Sequence, residues 1–228
     1  MKTQEKFYLE SNMSNNLLFA SVDLPPIDKV QAVKEIEPLL NTDAVFWDAY
    51  REISMIPLVT KTGQLGAESI SNRHQGEFVW ASHTPPTIKK YFDNVVFPWI
   101  GMRSRLMILI TQPGAKNAIH IDSKLHEVGT KKHKFRIVLQ GRTDTLFFRT
   151  KTGDVHVPEV DGAFLMDGSW VHGMDNETDK VKLTLALGSP WEGFDEYGSE
   201  VKILMDRRDY QLPDNLSQYE EKPGTATY

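Results

Sequence analysis

Between positions 103 and 190 the chain breaks into short apolar runs of β type, at 106–111, 118–122, 135–140, 145–149, 154–157, 163–167 and 181–188. Turn residues separate them at Pro113-Gly114, Gly141, Gly153, Asp161-Gly162 and Asp175-Asn176. Short strands at this spacing predict antiparallel pairing in a sandwich or barrel. Two of the runs alternate by side. Phe135, Ile137 and Leu139 share one face, opposite Lys134, Arg136, Val138 and Gln140; Leu183, Leu185 and Leu187 likewise oppose Lys182, Thr184 and Ala186. If the leucines meet helices outside the sheet, Lys182 and Arg136 point inward, where a cation without an anion loses its hydration.

Helical periodicity lies N-terminal to these runs. Asp28 is placed as an N-cap for a helix carrying Val30, Val33 and Ile36, which Pro38 should end near Glu37. A clearer helix follows Pro85 and Pro86, with Ile88, Tyr91, Phe92, Val95 and Val96 on one stripe and Pro98 as its stop. Positions 17–20 read as an edge strand and 56–60 as a strand with a turn at 61–63. Phe46, Trp47 and Tyr50 read as a helical turn or a bulky loop packed on a sheet. The stretch 64–75, rich in Gly, Ser and Asn, reads as a loop of the kind that lines active sites. After Trp191 the chain turns polar, and 213–228 reads as a surface extension. The expected architecture is one domain over 1–228, mainly β with flanking helices. A helical and loop extension at 1–100 packs outside a core at 101–190, and a polar extension follows at 191–228.

Composition narrows the class. With 228 residues, 40% hydrophobic and 25% charged, the chain is long enough for one substantial core and is not disordered throughout. A net charge of −5 gives no electrostatic footprint for nucleic acid, and Lys131, Lys132 and Lys134 around His133 read as a solvated loop rather than a phosphate site. No run of eighteen apolar residues suggests a membrane span. There is no cysteine, so any metal must be held by nitrogen and oxygen, and a cytoplasmic setting is expected.

Against that background His120, Asp122 and His172 stand out as a candidate iron site. Residues i and i+2 of a strand project to one side, so His-x-Asp grips an ion from one face, and a neighbouring strand must supply the second histidine. Two imidazoles and a carboxylate suit Fe(II) and leave positions open for dioxygen and a chelating cosubstrate. Isolated His-x-Asp is a weak pattern, but His172 after further strands, and Lys182 about ten positions on, strengthen it. His74, His83, His126, His133 and His156 read as exposed or satisfied in the core, with His126 the first substitute ligand. Asp167 reads as a turn-stabilising group or a support behind the ligands, Trp170 and Trp191 as packing at the barrel rim ahead of substrate contact, and Arg103 and Arg105 as surface ion pairs, with reach to substrate or cosubstrate the rarer alternative.

These residues resemble the motif of the Fe(II)- and 2-oxoglutarate-dependent dioxygenase superfamily: His-x-Asp, then His, then a basic residue, set in a double-stranded β-helix of jelly-roll or cupin type. His133-Lys-Phe-Arg-Ile-Val-Leu-Gln-Gly141, Gly162-Ala-Phe-Leu-Met-Asp-Gly-Ser-Trp-Val-His172 and Asp179-Lys-Val-Lys-Leu-Thr-Leu resemble the aspartyl/asparaginyl β-hydroxylase branch. The resemblance spans roughly 103–190. It departs from the branch at Lys182, which stands where arginine is usual, and in a longer connection between Asp122 and the arginine strand.

The resemblance implies His120, Asp122 and His172 as ligands of iron(II), Lys182 at the distal carboxylate of 2-oxoglutarate beside the small residues Thr184 and Ala186, and Arg136 at a carboxylate of cosubstrate or substrate. It implies hydroxylation of a C–H bond of an amino-acid side chain, free or peptidyl, or of a similar small molecule, using O2 and releasing succinate and CO2. No nucleic acid or membrane partner is implied. Substrate choice is expected in loops 61–84 and 123–132. The competing readings are a cupin-type metal enzyme that does not use 2-oxoglutarate, and a metal-free β-fold binding domain.

Overall fold

The computed structural model describes residues 16–49, 51–61, 63, 77–122 and 132–220. The chain forms β1 (Leu17–Val22), α1 (Lys29–Ile36), β2 (Phe46–Asp48), β3 (Ile53–Thr60), β4 (Val79–Trp80), α2 (Pro86–Tyr91), a wider π-type turn (Phe92–Val96) and α3 (Phe97–Ile100). It continues through β5 (Leu106–Thr111), β6 (His133–Gln140), β7 (Leu146–Thr150), β8 (Gly153–His156), β9 (Ala163–Asp167), β10 (His172–Met174), β11 (Lys182–Leu187) and β12 (Val201–Asp206). Among the described residues these strands form a nine-stranded sheet in the order β12-β1-β9-β6-β11-β5-β3-β2, with β4 beside β3, and a three-stranded sheet β10-β7-β8. All the pairings are antiparallel.

The chain crosses repeatedly between the two sheets. β5 lies in the large sheet, the bridge at His120 joins β10 of the small one, β6 returns to the large sheet, and β7 and β8 lie in the small one. β9, β10 and β11 then alternate large, small, large. This double winding is the expected mainly-β jelly roll with helices outside.

Each face of the large sheet has its own packing partner, as the side alternation requires. Phe135, Ile137, Leu139, Leu183, Leu185 and Leu187 join one apolar cluster with Ile36, Ile88, Phe92, Val96 and Ile100 of the helical segments. Each buried leucine there contributes roughly 1.5–3 kcal/mol over its exposed state. On the other face Val138, Phe164 and Met166 meet Leu146, Phe148 and Trp170 between the sheets.

Several local expectations are corrected. The N-cap at Asp28 forms, its side chain accepting from Gln31 N at 3.0 Å, but Val30 is exposed and Ala32 is buried in its place. Pro98 does not end its helix. The turn before it widens, so that the Phe97 N–H reaches Phe92 O, and the helix runs on to Gly101 at φ +73°. Positions 46–48 are a strand paired with β3, with Trp47 exposed, and Tyr50 lies outside the described residues. β1 is not an edge strand, because β12 from the polar C-terminal stretch covers it. Positions 118–122 carry a single bridge at His120 instead of a regular strand. The 64–75 loop, His74, His126 and most of 123–132 lie outside the described residues.

Candidate metal centre and its cavity

His120 and His172 face each other through an antiparallel backbone bridge, His120 N to His172 O at 3.0 Å and His172 N to His120 O at 2.9 Å. Their rings lie 4.5 Å apart. Each Nδ1 contacts the carbonyl two residues earlier, Ala118 O and Trp170 O, both at 2.8 Å. A carbonyl only accepts, so each Nδ1 carries the hydrogen and each Nε2 presents a lone pair. Asp122 sits opposite, with Oδ1 3.5 Å from His120 Nε2 and Oδ2 3.9 Å from His172 Nε2. One ligand atom from each of the three residues lies within 4.8 Å of the others.

Two further backbone bonds hold this geometry. Asp122 N donates to Gly168 O at 3.0 Å, and Ala118 N donates to Arg51 O at 3.1 Å. The motif is therefore strapped between the turn before His172 and the hairpin joining β2 and β3. Arg51 also reaches Asp122 at 3.5 Å and Asp48 at 2.9 Å.

The electrostatics fit a divalent cation. Burial, followed by the neighbouring His120, pulls the His172 pKa down to about 3, so this imidazole is neutral at physiological pH. Burial pushes the Asp122 carboxyl up, but the His120 contact and nearby charges, Lys134 among them, outweigh it and hold the group well below the ordinary range. His172 Nε2 is buried with no hydrogen-bond partner. A buried orphan acceptor beside a second imidazole and a carboxylate has unmet coordination capacity, and a nitrogen and oxygen set of this kind suits iron(II).

The triad opens on a cavity of about 380 Å³ between the sheets. Ile53, Met55, Met107, Leu109, Met174 and Ala186 give it an apolar wall, and they form a small cluster of their own with Phe46 packed against it. Arg51, Arg105, Lys134 and Arg136 line it too, with Asp48 and Asp122. Arg136, read from the sequence as inward, lies here, opposite Ala186 on β11.

Lys182 is buried at 1% exposure and Thr184 at 1%, but neither belongs to the cavity lining. Lys182 Nζ donates to Thr145 Oγ1, and Thr184 Oγ1 is buried without a partner. The structure thus brings together His120, Asp122, His172 and Arg136 around one space, while Lys182 and Thr184 lie elsewhere on the inner face of β11.

Three residues read otherwise from the sequence, or not singled out there, join the site. Lys134, taken for part of a solvated loop, and Arg105, taken for a surface ion pair, both face the cavity. For Lys134 the signal was present, because it shares its strand face with Arg136. Arg51 carried none, since its part in the site depends on β2 and β3 folding beneath the motif. Other expectations agree with the structure. His133 is buried with Nδ1 at 2.5 Å from Tyr197 Oη, His83 Nε2 contacts Pro57 O at 2.8 Å, and Arg103 pairs with Asp93 at 3.5 Å on the surface. Trp170 and Trp191 are buried packing residues.

No protein-family model matches the chain, and no curated protein matches it. Solved structures do. A prolyl-4-hydroxylase of Pseudomonas putida aligns at 12% identity over 75% of this chain and 90% of its own, with a TM-score of 0.44. The viral collagen prolyl hydroxylase of Paramecium Bursaria Chlorella virus-1, solved with 2OG, aligns at 7% identity over 77% and 97%, with a TM-score of 0.46. An oxidoreductase of the 2OG-Fe(II) oxygenase family from Burkholderia pseudomallei aligns at 11% identity over 68% and 76%, with a TM-score of 0.41.

Proposed function

We propose that the chain is an iron(II)- and 2-oxoglutarate-dependent oxygenase that hydroxylates a C–H bond of an amino-acid side chain, free or peptidyl, or of a similar small molecule. The observation that carries the reading is the convergence of two Nε2 lone pairs and the Asp122 carboxylate on one point at the wall of a partly cationic cavity. Iron(II), when bound by His120, Asp122 and His172, supplies activation of dioxygen coupled to decarboxylation of 2-oxoglutarate. The chain does the rest. The Nδ1 bonds to Ala118 O and Trp170 O fix both imidazoles, and Arg51 steadies Asp122.

Arg136 presents a guanidinium from the inner face of β6, and its Nε is buried without a partner, which supports it as the receiver of the distal carboxylate. Lys182 is the second candidate, reached if its ammonium leaves Thr145. The sulfur and aliphatic wall excludes water from the reacting C–H bond. A cavity-facing arginine on this strand also favours the aspartyl/asparaginyl β-hydroxylase branch over others of the superfamily.

Anaerobic addition of Fe(II) and 2-oxoglutarate together should produce a weak visible charge-transfer band that needs both components and disappears in His172→Ala. A cupin-type metal enzyme that does not use 2-oxoglutarate is the second reading, favoured by the placement of Lys182 outside the cavity lining. It predicts tight metal binding with no band on adding 2-oxoglutarate, and that result would replace the first reading.

A further inference from the structure

Lys134 and Arg136 project from the same face of β6, about 7 Å apart along the strand. Among the described residues neither side chain forms a hydrogen bond or an ion pair with a carboxylate. The acids of the cavity lining are Asp48, which pairs with Arg51 at 2.9 Å, and Asp122 of the metal centre, which Arg51 also approaches at 3.5 Å. Among the described residues the cavity therefore holds two cations that no wall carboxylate meets in a direct ion pair, Asp122 acting on both only through space, leaving Arg105 aside.

The proposed cosubstrate answers one of them. Of its two carboxylates one goes to the metal and the other to Arg136. Lys134 remains. It stands on the metal side of the cavity, because its stem runs over Gly168, whose carbonyl takes the Asp122 N–H at 3.0 Å. A Cβ at Gly168 would come within 2.9 Å of Lys134 Cε, so the absence of a side chain there makes the room in which this lysine lies. Gly188 does the same for Arg105, where a Cβ would meet Nε at 2.7 Å. Burial lowers the Lys134 pKa, and Arg105 and Arg136 add repulsion against the opposing pull of Asp122 and, more weakly, Glu192. A half-buried ammonium facing the cavity in that setting is stabilised by an incoming anion.

Resting on the oxygenase reading, we propose that the primary substrate is itself anionic, and that Lys134 receives its carboxylate or phosphate group beside the metal centre while Arg136 is kept for 2-oxoglutarate. Such an ion pair fixes one end of the substrate a short reach from the metal, so the oxidised C–H bond lies a few atoms from the anionic group.

The test uses the full chain loaded anaerobically with Fe(II) and 2-oxoglutarate. Acetate, inorganic phosphate and neutral acetamide are titrated calorimetrically into wild type, Lys134→Met and Lys134→Arg. The better of the two anions should bind wild type and lose about tenfold or more in Lys134→Met, with recovery in Lys134→Arg, while acetamide shows no such difference. Which anion binds better separates a carboxylate from a phosphate substrate. Lys134→Met should keep its 2-oxoglutarate affinity and its visible band.

Equal anion binding in wild type and Lys134→Met overturns the proposal, and so does acetamide binding as well as the anions. Loss of 2-oxoglutarate affinity in Lys134→Met also overturns it, by making Lys134 the cosubstrate clamp, and leaves the oxygenase reading intact. The titrations are repeated without 2-oxoglutarate. A wild type that forms no band with Fe(II) and 2-oxoglutarate both present sinks the oxygenase reading, while the anion result obtained without 2-oxoglutarate is still read by itself.

Discussion

Arg207 gives the sharpest test of how the site is held from behind. It lies in the short 3-10 turn Arg207–Asp209 that follows β12, at 7% exposure, with Nη1 3.1 Å from Asp167 Oδ2, and Asp167 is itself 1% exposed. The other carboxylate oxygen accepts from Ser169 N at 2.9 Å and Ser169 Oγ at 2.6 Å. The guanidinium also lies over the Trp170 ring, 5.6 Å from its centroid. Burial raises the Asp167 pKa, and Arg207 is the first of the groups that oppose it. Arg207→Met keeps most of the volume and removes the charge.

A buried carboxylate stripped of its partner costs roughly 3–5 kcal/mol. In a chain of 228 residues that is a fall in Tm of roughly 6–20 °C. The carboxyl escapes part of the penalty by binding a proton. Its pKa in the folded variant then exceeds even the raised wild-type value, so between the two native values the variant holds a proton that wild type has released, and the deficit against wild type grows as pH rises through that range. Denaturant unfolding of wild type, Arg207→Met, Asp167→Asn and the double variant, each at acidic and neutral pH, measures both effects. The two substitutions should not add, with a coupling of about 1–3 kcal/mol. A deficit under about 1 kcal/mol, one that ignores pH, or simple additivity would refute the reasoning.

Two further expectations follow from packing and charge. Lys182 is buried, and that burial, with Arg136 adding repulsion against Glu159 and Asp144, draws its pKa from 10.5 to about 7. Between these values the unfolded chain binds a proton that the native one does not, so stability should rise from about pH 7 to about pH 10 by up to roughly 1.4 kcal/mol per unit. Lys182→Met should flatten that slope in urea titrations, and an unchanged slope would contradict the assignment. At Gly173, next to His172, a Cβ would lie 2.6 Å from Phe147 Cζ and 3.1 Å from Ile119 Cγ1. Gly173→Ala should cost about 1–3 kcal/mol of stability and weaken Fe(II) binding by displacing β10. Adding Phe147→Leu should restore metal affinity, and failure to do so would show that the ring is not what the methyl group meets.

The sequence was most legible where one physical constraint acts along a continuous stretch. β6 and β11 alternate because one face meets helices and the other meets the second sheet, so the inward placement of Arg136 could be read directly. Most strands from β5 onward were legible for the same reason. β12 was not, because Lys202, Ile203 and Leu204 are all exposed and only Met205 is well buried, which leaves little pattern to read. Without β12 the apolar run of β1 looked like an edge, although that run is apolar because the strand is covered.

The helix ran on through Pro98 because a wider turn placed the missing N–H where the ladder was already altered, an adjustment that residue identities do not signal. At the candidate site the triad was visible as spacing and residue type, yet 118–122 is no ladder strand. A single bridge at His120, two strapping bonds and the Arg51 contact do the positioning, and these partners come from β2, β3 and the turn before His172. The charge of the cavity is a property of the fold in the same sense. Lys134 looks solvated beside Lys132 in the sequence. Lys132 in fact pairs with Glu192 at 2.8 Å outside the cavity, while the alternation of β6 turns Lys134 toward the metal centre. The two lysines stand two positions apart, so alternation alone would give them the same side, and what separates their environments is the strand boundary: Lys132 precedes β6 and is held by Glu192, whereas Lys134 lies on the strand face that lines the cavity.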